Sequence, residues 1–178
     1  MKRVVVIALL LIAAVACKKQ NNIAANINAA NRVAVRPVRL YYESEQLMLV
    51  AETRNIALPE SPAAAIPVVA RELMKGPATP AGARLFPPDT VVRGAYLLPG
   101  GTVIVDLGGA TLTQGWGAGS HHELMAASSL VQTLAVNFAD ARRVRLIVNG
   151  APAETLAGHV SLTRSLSPMP QYVDPRFR

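Results

Sequence analysis

A single cysteine, Cys17, ends an apolar run from Val4 to Ala16 that itself follows Lys2 and Arg3. With one cysteine no internal disulfide can staple the chain, so a hydrophobic core must hold whatever folds. The run falls short of the roughly 20 apolar residues that span a bilayer and fits the short h-region of a signal peptide, with Lys2 and Arg3 as its positive n-region. The folding chain therefore starts after residue 16. Apolar residues make up 51% of the sequence, enough for a real core, but aromatics only 4%. That core has to be built from small and β-branched side chains.

Ala14-Val15-Ala16-Cys17 resembles the lipobox of bacterial lipoproteins, with Ala14 where leucine is usual. The resemblance implies cleavage before Cys17 and acylation of its thiol, including palmitate, because a thiolate is the nucleophile that accepts the glyceride. Two or three acyl chains anchor stably where one is marginal. Lys18, in place of aspartate, implies the outer membrane facing the periplasm in a diderm host; in a monoderm host the anchor sits in the outer leaflet of the cytoplasmic membrane. Residues 18–36 are rich in Asn and Ala and read as a flexible tether, so the domain is expected from Pro37 to residue 165.

The formal charge is +7, and +5 once Lys2 and Arg3 leave with the leader. The basic residues are scattered, and the densest group, Arg142, Arg143 and Arg145, has no interleaved aromatics for stacking bases. Nucleic acid is not an expected partner.

Val38–Tyr42 and Leu47–Arg54 read as strands around the loop Glu43-Ser44-Glu45-Gln46. A helix opens at Ser61-Pro62 or Ile66-Pro67 and stops at Gly76-Pro77. Val91–Leu98 and Thr102–Leu107 form a hairpin across Pro99-Gly100-Gly101. A second helix starts at Ser120, with Ser120 and Glu123 in capping-box spacing and one apolar stripe of Leu124, Ala127, Val131, Leu134 and Phe138. Val144–Val148 is a strand turned by Asn149-Gly150, Leu156–Leu162 a candidate edge element, and 166–178 a loose proline-rich tail. The order predicts an α+β fold: a mostly antiparallel sheet of about four to five strands with two helices packed on one face.

Leu73-Met74-Lys75-Gly76-Pro77, Phe86-Pro87-Pro88-Asp89-Thr90, Thr102–Leu107, Glu123 with Ser129–Leu134, Val144–Gly150 and Leu156-Ala157-Gly158-His159 together resemble the GerMN domains named from a spore germination lipoprotein. Asp89 and Gln132 stand where the family commonly has glycine and asparagine. The resemblance spans residues 38–165 and implies a fold akin to ring-building motifs, which are non-catalytic assembly modules of sporulation and germination machinery.

His121, His122 and Glu123 form the one cluster that invites an active-site reading, with His159 as a distant fourth group and a metal-dependent envelope hydrolase as the alternative function. Adjacent helical residues project about 100° apart, which disfavours two neighbouring histidines on one ion. Ser120 lacks a hydrolase context, and the glycine-rich stretch 108–119 lacks the Lys-Ser/Thr ending of a phosphate loop. No catalytic residue, metal or cofactor is expected. Trp116 on that stretch reads equally as a contact for a partner or glycan and as a flap over the sheet end. Asp106 and Glu123 join it as candidate partner contacts. The expectation is a lipid-anchored envelope module, held to the membrane through Cys17, that binds an envelope protein or a peptidoglycan-type polymer. Its self-association is left open.

Overall fold

The computed structural model describes residues 32–114, 116–117 and 119–178; Cys17, the leader and most of the tether lie outside them. Strand β1 (Val33–Glu43) pairs antiparallel with β2 (Leu49–Pro59) over its whole length, from Val33 opposite Pro59 to Glu43 opposite Leu49. The first strand thus starts at Val33, four residues before Pro37, where the domain was expected to begin. Pro37 broke the sequence pattern, but an edge strand tolerates proline because one row of its N–H groups serves no neighbouring strand.

Helix α1 (Pro62–Met74) runs where expected, with Pro62 in its first turn. Gly76 ends it at φ 84°, and a side chain there would fall 2.7 Å from the Arg84 guanidinium. That guanidinium donates to the terminal carbonyls of Met74 (2.7 Å) and Lys75, satisfying acceptors that a helix end leaves open.

The remaining strands are β3 (Val91–Leu97), β4 (Thr102–Gly108), β5 (Arg143–Val148) and the two-residue β6 (Ala151–Pro152), in the order β3-β4-β5-β6. The fold is α+β, but it holds two sheets, of two and four strands, where one was expected. The β4–β5 pair is parallel, because helices α2 (Ala110–Gln114) and α3 (Ser120–Asn137) carry the chain back between them. Val103, Val105, Leu107, Val144 and Leu146 form the buried face of the larger sheet and join Ile66 and Val69 of α1 and Leu130 and Leu134 of α3 in one core.

Helix α3 is not amphipathic in the simple way its sequence suggests. It is buried continuously from Met125 to Leu134, including Ser128, Ser129, Gln132 and Thr133. Ser129 and Thr133 are tolerable there because, with the half-buried Asn137 one turn further on, they form a row spaced four residues apart that serves the backbone of β1. Ser129 Oγ donates to the Tyr41 carbonyl (2.5 Å), Thr133 Oγ1 accepts from Tyr41 N–H (3.1 Å), and the Asn137 amide accepts from Arg39 N–H (3.1 Å) and donates to its carbonyl (2.7 Å). Four helical residues rise about 6 Å and two strand residues about 6.8 Å, so the two ladders stay in step. Side chains of α3 thereby do what a neighbouring strand would do and close the edge of β1. Thr133→Val keeps the shape but strands the buried Tyr41 N–H. It is expected to cost about 1–3 kcal/mol, read as a lower urea midpoint at unchanged slope.

The C-terminal tail, expected to be loose, is packed instead. Leu166 bridges Val144 on β5, Val173 is fully buried, and Asp174 N–H donates to the Leu49 carbonyl at 2.9 Å. The Tyr41 hydroxyl donates to the Phe177 carbonyl at 3.0 Å. Prolines here set short 3₁₀ turns at Pro170–Tyr172 and Pro175–Phe177 that lay the chain against the core. Leu156–Leu162 forms no strand and wraps around the start of α3.

Candidate functional site

The first turn of α3 gathers the residues singled out for chemistry. Its N-cap is Gly119, with no side-chain cap, so Ser120 and Glu123 do not form the expected capping box. His121 Nε2 lies 2.5 Å from the carboxylate of the buried Glu43 at the end of β1. His122 Nε2 lies 3.0 Å from the Leu85 carbonyl, while its ring meets the edge of Trp116 with centroids 5.4 Å apart. Trp116 is half-buried and stacks on Phe86 at 5.9 Å. The adjacent histidines therefore tie the start of α3 to two different segments. Among the described residues no group of three or more His, Cys, Asp and Glu is arranged to hold a metal ion.

Glu123 turns the other way and is fully buried. One carboxylate oxygen accepts from the N–H groups of Leu156 and Ala157, both at 2.9 Å. The other accepts from His159 N–H at 2.7 Å and lies 3.2 Å from His159 Nδ1. Burial alone would raise its pKa, but the N–H groups of Ala157, His159 and Leu156 outweigh that and lower it. Glu123 thus anchors the Leu156-Ala157-Gly158-His159 loop to α3. A residue so enclosed cannot be the direct partner contact expected from sequence, and it engages His159 without either neighbouring histidine.

Asp106, on β4, is also occupied. It accepts from Gly150 N–H at 2.9 Å and from Arg93 Nε at 3.3 Å, so it fixes the Asn149-Gly150 turn rather than standing free for a partner. Asp89, the departure from the resembled motif, has a reason as well: its carboxylate accepts from Thr111 N–H at 2.9 Å in the first turn of α2, and that bond holds its pKa below the usual range.

A surface that the sequence reading did not single out lies on the other side of the larger sheet. The alternation that buries Val103, Val105, Val144 and Leu146 turns Tyr96, Ile104 and Arg145 to the opposite face as one row, with Thr102 and Arg143 in the next row and Asp106 and Ile147 in the row beyond. The β-bulge between Val92 and Gly94 shifts β3 by a residue, and Tyr96 lies back along the strand over Gly94. A Cβ on Gly94 would stand 2.7 Å from the Tyr96 hydroxyl and 2.9 Å from its ring carbon. Tyr96 nonetheless stays 60% exposed. The signal was present in the period-2 pattern of β3 and β4, but the bulge hides its phase.

The profile of the Germane family, described as sporulation and spore germination, matches residues 39–154. The chain belongs to the Germane family. Among solved structures it is similar to the tandem GerMN domains of the sporulation protein GerM from Bacillus subtilis, at 21% identity and a TM-score of 0.56, covering 75% of this chain and 46% of that one. The first GerMN domain of the same protein matches at 20% identity and 0.56, covering 74% of this chain and 97% of that domain. A putative lipoprotein from Clostridium perfringens matches at 12% identity and 0.54, with coverage of 76% and 87%. No curated protein matches. At these identities the likeness to solved structures shows the fold. The family read from the resembling motifs is thereby established over residues 39–154. Glu123, inside that span, and the Leu156-Ala157-Gly158-His159 loop just beyond it are two halves of one bond network.

Proposed function

We propose that this Germane-family protein is a lipid-anchored, non-catalytic contact module of the cell envelope, attached through Cys17 and binding an envelope protein or wall polymer. One observation carries the reading. The side chains best suited to chemistry are spent on holding the fold: His121 on Glu43, His122 on the Leu85 carbonyl, and Glu123 on the 156–159 loop. The leader, the lipobox-like Ala14–Cys17 stretch and the Asn-rich tether support the anchoring half of the proposal. The name of the Clostridium perfringens structure, a putative lipoprotein, points the same way.

The anchor is tested by expressing the full chain in a lipoprotein-processing bacterium with a palmitate label. Wild-type protein is expected to take up label and sediment with membranes, and Cys17→Ala to take up none and to keep its leader. Label on Cys17→Ala, or unprocessed wild-type protein in the cytosol, overturns the anchor. The contact half is tested by mild crosslinking of envelopes, which is expected to recover a protein or wall partner. A chain that recovers neither sinks it.

A further inference from the structure

From the sheet face described above, and resting on the contact-module reading, we propose that the partner is an acidic glycan: a sugar chain carrying carboxylates. Tyr96 supplies the platform. Its side chain leans back along the strand over Gly94, whose missing Cβ leaves room for the hydroxyl and one ring edge, and it stays 60% exposed. An aromatic face carries partial negative charge, so it attracts the polarised C–H face of a sugar ring in the way it attracts a cation.

Charge supplies the second half. The face carries Arg93, Arg143 and Arg145 against one carboxylate, Asp106, and Asp106 is already engaged by Arg93 and by Gly150 N–H. Among the described residues Arg143 and Arg145 belong to no ion pair; Arg145 donates to the Thr163 carbonyl, which holds it in place without neutralising it. Tyr96 and Arg145 flank Ile104 in one row, two strand spacings or about 10 Å apart. A sugar chain that runs from Tyr96 across Ile104 therefore brings the carboxylates of its later units toward Arg145 and, one row on, Arg143. Guanidinium suits that role, because its planar fork matches a carboxylate in two parallel hydrogen bonds. Thr102, next to Ile104's row along β4, presents a hydroxyl to sugar hydroxyls. An acidic peptide would find the same charges but has no use for the platform.

The test titrates the full-length protein, in mild detergent, with a tetramer of galacturonic acid, with a neutral oligosaccharide of equal length, and with hexaglutamate. The acidic tetramer is expected to bind, and to bind more tightly than either control. Tyr96→Ala should weaken it by about tenfold or more, the loss that follows truncation of an aromatic anchor, while Tyr96→Phe retains the affinity. Arg143→Gln and added salt should each weaken binding, since exposed charges are screened. Because Tyr96 is exposed, Tyr96→Ala is expected to melt as the wild type does; were it not to fold, Arg143→Gln and the ranking of the three ligands still decide. Hexaglutamate binding as tightly as the acidic sugar, an affinity indifferent to Tyr96, or no binding at all each overturn the proposal. Crosslinking that recovers the same envelope protein with wild type and Tyr96→Ala would leave the contact module standing and remove only this surface.

Discussion

Replacing Glu123 by alanine is expected to cost about 3–5 kcal/mol, the range for removing one partner of a buried charged network, and to lower Tm by about 10 °C or more. The size follows from what is left behind. The N–H groups of Leu156, Ala157 and His159 converge on the carboxylate, and no other acceptor within the described network replaces it. The buried Leu156 N–H then keeps its full desolvation penalty without a bond, and the part-buried Ala157 and His159 donors a share of theirs. Glu123→Gln separates charge from shape. It retains one oxygen, but its amide N–H₂ is a donor facing donors, so it should recover only part of the loss.

The acid limb of the stability curve gives an independent reading. The pKa of Glu123 in the folded chain lies below its ordinary value of 4.5, so between the two values the unfolded chain binds more protons than the folded one. Stability then rises with pH. The contribution of the carboxylate is complete above the ordinary value and is lost as pH falls through the lowered one. Urea unfolding from pH 7 to pH 3 should show the gap between wild type and Glu123→Gln closing on the acid side. A constant gap would mean that the bond network is carried by shape alone.

Glu123 also shows where sequence reasoning stops. Serine followed by glutamate three residues on is a legitimate local signal, and nothing near Glu123 distinguishes a carboxylate that reaches back to a cap from one that reaches a loop more than thirty residues away. The elements with local causes were legible: α1 between Pro62 and Gly76, the β3–β4 hairpin across Pro99-Gly100-Gly101, and β5 before Asn149-Gly150. The features that were not legible depend on partners distant in sequence. Ser129, Thr133 and Asn137 interrupt an apolar helix, and only β1 beside them explains why. Val173 looks like one apolar residue in a proline-rich tail until Leu49 is placed against it. The parallel β4–β5 pair had a usable signal, since a strand, a helix and a second strand in one sheet return the chain in its original direction. For the candidate site, sequence singled out Asp106, Trp116 and Glu123, and Asp106 and Glu123 turn out to be bonding groups of the fold. It did not single out Tyr96, whose position depends on a bulge.

Arg54 joins β2 to the end of α1 and is the second position where one substitution should have a large effect. Its Nε donates to Glu52 at 2.6 Å, one terminal nitrogen to Glu72 at 3.0 Å, and the other to the Gly76 carbonyl at 2.6 Å. Both carboxylates are engaged further: Glu52 accepts from Ala78 and Thr79, and Glu72 meets Lys75 at 2.5 Å. The Tyr42 hydroxyl beneath donates to the same Gly76 carbonyl, and burial, offset in part by the Arg54 charge, raises its pKa to about 12. The whole cluster fixes the Leu-Met-Lys-Gly-Pro corner. Arg54→Met keeps the aliphatic stem but leaves Glu52 and Glu72 facing each other in a largely buried setting. The expected cost is about 2–3 kcal/mol at pH 7, in the range for charged hydrogen bonds. Arg54→Lys should recover little of it, because an ammonium on a flexible stem cannot reach three acceptors spread around a planar fork. Burial raises the pKa of both carboxylates, but hydrogen bonds, chiefly from Arg54 to Glu52 and from Lys75 and Arg54 to Glu72, lower them overall. The stability that Arg54 confers is therefore present above pH 4.5 and fades as pH falls through the lowered values. Wild type and Arg54→Met should converge in acid, and an undiminished difference at pH 3 would assign the effect to the Gly76 carbonyl bond in place of the two carboxylates.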